Sequence, residues 1–62
     1  MNANPVRLLR RSEVEQTIGL KRSAIYAMMA EGRFPRPVKL GLKAVAWRAG
    51  DIEKWINERE VA

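Results

Sequence analysis

The side chains with chemistry to offer in this 62-residue chain are twelve Lys and Arg, seven Asp and Glu, and one tyrosine, with no histidine and no cysteine. Imidazole bases, thiolate nucleophiles and the usual zinc ligands are therefore missing. Glu13 and Glu15 stand two positions apart, which on a helix points them in different directions. They suit helix capping better than a catalytic carboxylate pair. The sequence shows no Gly-rich phosphate-cradling motif and no nucleophile–base pair at a recognisable spacing. What remains is a capacity to grip anions. The stretch "GRFPRPVKLGLKAVAW", Gly32 to Trp47, carries four cations and no acid. Guanidinium and ammonium groups left unopposed over such a length attract polyanions, and arginine adds planar, paired donors for phosphate oxygens.

The charge is also divided along the chain. Met1 to Arg48 holds ten Lys/Arg against three Asp/Glu, a net of +7, while Ala49 to Ala62 holds two against four, a net of −2. A basic body and an acidic end give the molecule an electrostatic front and back. The front suits a phosphate backbone.

Elements that hold these cations in place can be read from the apolar periodicity. Residues 1–7 read as a flexible lead-in, with Pro5 opposing helix, and ordered structure is expected over 8–60. "SEVEQTIG" has the spacing of a short helix, with Ser12 as N-cap, Glu15 completing a capping box, and Gly19 as the stop. A second helix is expected from Lys21 or Arg22 to Glu31; at its start Ser23 has a side chain able to cap and Lys21 does not. Its Ile25, Met28, Met29 and Gly32 share one face. The opposite face carries Arg22, Ser23, Tyr26, Ala27 and Ala30, with Arg33 just beyond. Two short helices around a glycine corner have helix-turn-helix spacing. Pro35 and Pro37 forbid further helix. "VKL" and "AVAW" then read as two strands of a hairpin with its turn at "GLK". "GDIEKWINERE" reads as a third helix from Gly50 or Asp51, with Ile52, Trp55 and Ile56 as its apolar stripe.

A domain this small has a net stability of only about 3–5 kcal/mol, and no disulfide supports it. Trp47 and Trp55, beside Val45, Ile52 and Ile56, are therefore expected to anchor the core, with Met28 and Met29 filling gaps. In the hairpin, Arg36, Lys39 and Lys43 alternate with Pro37, Val38, Leu40 and Leu42. Alternation should turn the apolar groups inward and the cations outward. Such cations can guard a sheet edge, but the absence of any acid from Arg33 to Arg48 favours phosphate contact. The outer face of the second helix combines small and hydrogen-bonding side chains, where an ordinary solvated face more often shows Glu and Lys. That pattern fits a helix laid in the major groove of DNA.

The order of elements, with the segments "LLRRSEVEQTIGLKRSAIYAMMAEGRFPRPVKLG", "AVAW" and "DIEKWI", resembles the AlpA-like prophage regulators. These are winged-helix proteins of phages and genomic islands, related in fold to excisionases and to the DNA-binding heads of MerR-type regulators. The resemblance extends over roughly residues 7–59. It departs from the family pattern at Lys21, where a Ser or Thr is common, and at Ala49 and Gly50, where a Ser is common. It implies a sequence-specific DNA-binding regulator of a prophage or genomic island, acting as an activator of integrase expression, as an excisionase, or as both.

The expected fold is therefore a small α+β winged helix-turn-helix of three short helices and a two-stranded β-hairpin wing. The expected DNA contacts are Lys21, Arg22, Ser23, Tyr26, Ala27, Ala30 and Arg33 from the recognition helix and its flanks, and Arg36, Lys39 and Lys43 from the wing. The expected partners are double-stranded DNA, further copies on adjacent sites, and a phage-type integrase. One such module covers only about 600–1,000 Å² of its surface on DNA, thin for a unique site, which is why further copies are invoked. No enzymatic activity, cofactor or metal is expected, nor is a long dimerisation helix. With no membrane span or signal-peptide core, a cytoplasmic location is expected. The alternative reading is a protein-interaction module that titrates another regulator.

Overall fold

The computed structural model describes residues 6–62 and shows three helices and a three-stranded antiparallel sheet. In chain order the elements are β1 (Leu8–Leu9), α1 (Arg11–Ile18), α2 (Arg22–Ala30), β2 (Val38–Lys39), β3 (Val45–Arg48) and α3 (Ala49–Asn57). This is the α+β winged helix-turn-helix expected from the sequence, with one strand more. β3 lies in the middle of the sheet, paired with β2 through Val38↔Ala46 and Lys39↔Val45, and with β1 through Leu8↔Arg48 and Leu9↔Trp47. The lead-in expected over residues 1–7 falls largely on positions 1–5, outside the described residues. Arg7 already belongs to the sheet edge, its carbonyl accepting the Ala49 N–H at 2.9 Å.

The added strand changes where α1 begins. Because Leu9 is fixed against Trp47, the chain turns into helix directly after it. Arg10, not Ser12, is the N-cap residue. Glu13 reaches back to accept the Arg10 backbone N–H at 3.0 Å, and Ser12 lies inside the first turn. For α2 the N-cap position is Lys21, in extended geometry and with no side-chain cap, so Ser23 does not cap that helix. Both helices end on left-handed glycines, Gly19 at φ 76° and Gly32 at φ 74°. Gly19 donates to the Glu15 carbonyl at 2.8 Å, and Arg33, just after Gly32, donates to Met28 at 2.8 Å, closing orphan carbonyls at each end.

A Cβ added at Gly19 or Gly41 would meet no atom within 4 Å, and of the two only Gly19 has positive φ. Gly19→Ala is therefore expected to cost about 1–2 kcal/mol through backbone conformation alone. Gly41→Ala should be neutral or slightly stabilising. Urea unfolding of the two variants checks the contrast.

The core consists of Leu9, Val14, Ile25, Phe34, Ala46, Trp47, Ile52 and Trp55, drawn from every element except β2. Both tryptophans are buried, as expected. Phe34 lies between them, with its ring centroid 5.0 Å from that of Trp55 and 6.4 Å from that of Trp47, both edge-on. The two indoles also satisfy the backbone around it. Trp55 Nε1–H donates to the Arg33 carbonyl and Trp47 Nε1–H to the Pro35 carbonyl, each at 2.9 Å. The irregular segment from α2 to the wing is thus clamped on both sides of Phe34, which fixes the wing relative to α2.

Two expectations about apolar positions are corrected. Leu40 and Leu42 do not turn inward: the ladder ends at Lys39↔Val45, and the alternation ends with it, leaving both leucines exposed in the loop between β2 and β3. Ile56 also lies on the rim of the α3 stripe, 38% exposed, while Ile52 and Trp55 carry the burial.

Candidate nucleic-acid interface

The outer face of α2 is assembled from positions that the inner face cannot use. Ile25 is fully buried, and Met28 and Met29 are half-buried against the core. That burial turns Arg22, Ser23, Tyr26, Ala27 and Ala30 to the surface, where all five are exposed. Arg22 and Tyr26 are one turn apart, and the guanidinium carbon lies 5.7 Å from the centre of the phenol ring. Such a stack is worth about 0.5–1 kcal/mol at an exposed site and holds the arginine along the helix.

Between α2 and the wing runs a cleft of about 410 Å³, lined by Arg10, Arg11, Ser12, Arg22, Tyr26, Lys43 and Val45. Arg22 and Tyr26 come from α2 and Lys43 from the wing, so three of the sequence-predicted residues meet there. Lys21 and Ser23 flank Arg22 on the surface, and Ala27 and Ala30 continue the same exposed face. Arg36 and Lys39 are exposed on the approach to the wing and on β2, away from the cleft lining. Arg33 is separate from this group. It is held by the Glu31 carboxylate through two guanidinium nitrogens, and it lines a different cleft, against Trp55 and Arg59 of the C-terminal region.

Arg10, Arg11 and Ser12 enter the cleft in addition to the residues expected from the sequence. Their signal was the doublet "RR" at the start of α1, remote in sequence from α2 and the wing. The position is physically informative. Two arginines at a helix N-terminus oppose the positive end of the macrodipole. Glu13 and Glu15 offset part of this, Glu15 by an ion pair with Arg11 at 3.2 Å. An anion in the cleft would offset the rest by meeting the two arginines.

Among the described residues, acids hold Arg7 through Glu13, Arg11 through Glu15 and Arg33 through Glu31, and none holds Arg10, Lys21, Arg22, Arg36, Lys39, Lys43, Arg48, Lys54 or Arg59. The contrast lies in which clefts bring acids beside the cations. The cleft lining holds four cations and no carboxylate. By comparison, the cleft beside Trp55 includes Asp51 and Glu58, and that between α1 and α3 includes Glu13 and Glu53. Cations gathered in one concave surface without an acid raise the local positive potential, here between α2, the wing and the start of α1. Among the described residues no cluster of acids is placed to hold a metal ion, and no helix is long and apolar enough to cross a membrane.

Comparison with known proteins gives this arrangement a family. An uncharacterised protein of enterobacteria phage P4, ORF88, is 43% identical over 53 residues, covering 86% of this chain. The chain spans 60% of that relative's length. The DNA-binding transcriptional activator AlpA of Escherichia coli K12 is 33% identical over 64 aligned positions, covering 94% of this chain and 91% of the relative. No solved structure matches. The model of the prophage CP4-57 regulatory protein (AlpA) family matches residues 7–60, from the sheet edge to just past α3, and the chain belongs to that family.

Proposed function

We propose that the chain is a sequence-specific DNA-binding regulator of a prophage or genomic island, working in the cytoplasm as a transcriptional activator. α2 enters the major groove, with Arg22, Ser23 and Tyr26 reaching base edges. The wing holds the flanking phosphates through Lys39 and Lys43, and Arg36 joins them from the adjoining segment. The observation that carries this reading is the acid-free basic cleft joining α2, the wing and the start of α1. Arg10 and Arg11 are accordingly added to the phosphate contacts. The activator named among the relatives supports the choice of activation. Integrase expression is the target we favour, because a regulator of a mobile element is most useful where excision is controlled. An excisionase role on the same element uses the same interface. Copies on adjacent sites and a recombinase partner supply the specificity that one small module lacks.

Salt dependence tests the phosphate grip. With about 4–6 phosphates neutralised by Arg10, Arg22, Arg36, Lys39, Lys43 and Arg11, the slope of log K against log salt should be on the order of −4 to −5. Fluorescence anisotropy with duplex DNA between low and physiological salt gives this slope directly. A slope near zero, or capture of an acidic protein with no duplex binding, would replace this reading with that of a titrating interaction module.

A further inference from the structure

Leu42 is an apolar side chain with no role in the fold. It is 104% exposed, as free as in an extended peptide, and Leu40 beside it is 47% exposed. The loop that carries them is closed on itself. The Leu40 and Gly41 N–H groups both donate to the Ala44 carbonyl, at 2.8 and 3.3 Å, so Leu42 stands at the apex of a held turn. Lys43 follows it directly and lines the basic cleft, and Lys39 closes β2 ahead of Leu40 and Gly41, so a cation stands on each arm of the turn.

On the reading that this cleft receives a DNA duplex, we propose that Leu42 is a wedge. It enters the minor groove next to the segment read by α2 and inserts between two base pairs, partly unstacking them and bending the duplex. The elements of such a device are an apolar tip that costs the fold nothing to commit, and cations on both sides to grip the phosphates that flank the opened step. Charge selects this occupant. No acid lies between Gly32 and Arg48, so the tip is matched to an anionic surface. Tip-to-tip contact with a second copy would set Lys39 and Lys43 against their own equivalents. The wedge favours flexible pyrimidine–purine steps, which unstack most easily, and so adds sequence preference at a position that no hydrogen bond reads.

The test uses a duplex of about 30 base pairs recovered from a random pool by selection with the full chain, with 2-aminopurine placed at successive steps beneath the wing. The full chain is expected to raise the probe's fluorescence several-fold at one step and to shorten the end-to-end distance read by energy transfer. Leu42→Ala should melt at the same temperature as the parent, give neither change, and bind on the order of tenfold more weakly. Leu42→Lys should bind unselected DNA more tightly through its added cation, again without the fluorescence rise; Leu42→Met should keep the rise. Leu42→Ala with unaltered fluorescence, bending and affinity would overturn the wedge and leave DNA binding intact. Loss of self-association by Leu42→Ala in sedimentation without DNA, with bending retained, would make the tip a contact between copies instead. Failure of the parent chain to enrich any duplex would defeat the DNA reading itself, and the wedge with it.

Discussion

Trp47→Ala should leave the chain unfolded at room temperature. The indole is fully buried, meets Phe34 edge-on, and donates from Nε1 to the Pro35 carbonyl at 2.9 Å. Truncation of such a ring costs about 3–5 kcal/mol in transfer and cavity terms. The carbonyl left without its donor adds about 1–3 kcal/mol if it stays buried. The net stability of a domain this size is itself only about 3–5 kcal/mol. Trp55→Ala removes the matching clamp on the Arg33 carbonyl, 9% exposed and so nearly as deep, and the same outcome is expected. Trp47→Phe separates the two contributions. It retains ring packing, loses the hydrogen bond, and should fold with a lowered urea midpoint. Circular dichroism and urea titration read all three. A folded Trp55→Ala chain that binds DNA poorly would move that ring from the core to the interface.

The second large effect separates reading from gripping. On the proposed docking, Arg22→Ala and Tyr26→Ala remove the side chains assigned to base edges, so each should narrow the gap between selected and scrambled DNA by about 1–3 kcal/mol per lost contact. On the same docking, Lys39→Ala and Lys43→Ala remove the side chains assigned to phosphates. They should weaken binding to both kinds of DNA by similar factors and make the salt slope shallower by about one unit. All four side chains are exposed, so the variants should fold as the parent does. The pair Arg22 and Tyr26 needs one further measurement, because the two are stacked. Contacting residues couple, so the double variant should lose less than the sum of the single losses. If Lys43→Ala instead erased specificity and spared non-specific affinity, the wing would be the reader, through a cation in a narrow minor groove.

The helices were legible because long-range packing agrees with their local signals. Gly19 had to stop α1, and the same positions that pattern Ile25, Met28 and Met29 inward turn Arg22 and Tyr26 outward. The start of α1 departs from its strongest local signal for a physical reason. "RRSEVE" offers Glu to a cap at either of two registers, Ser12 with Glu15 or Arg10 with Glu13, and local chemistry prefers the serine. The choice belongs to β1, whose two residues are too few to show a period and whose pairing with Arg48 and Trp47 is non-local. Phe34 was hidden in the same way, an aromatic between Arg33 and Pro35 in a segment with no periodicity. Arg10 and Arg11 carry no local mark of a site, because only the folded chain sets the start of α1 beside Lys43. An alternation carried through Leu40 and Leu42 points them inward, but the ladder ends before it reaches them.

The claim that the face between α2 and the wing meets the nucleic acid is tested most directly by amide chemical-shift mapping of the full chain against a selected duplex, titrated to saturation. The expected changes cluster on Arg10–Ser12, Arg22–Ala27 and Lys39–Lys43, with small effects at Glu53 and Glu58 on the acidic side. Changes centred instead on the cleft of Gly32, Trp55 and Arg59, with Arg22 and Lys43 unmoved, would contradict it.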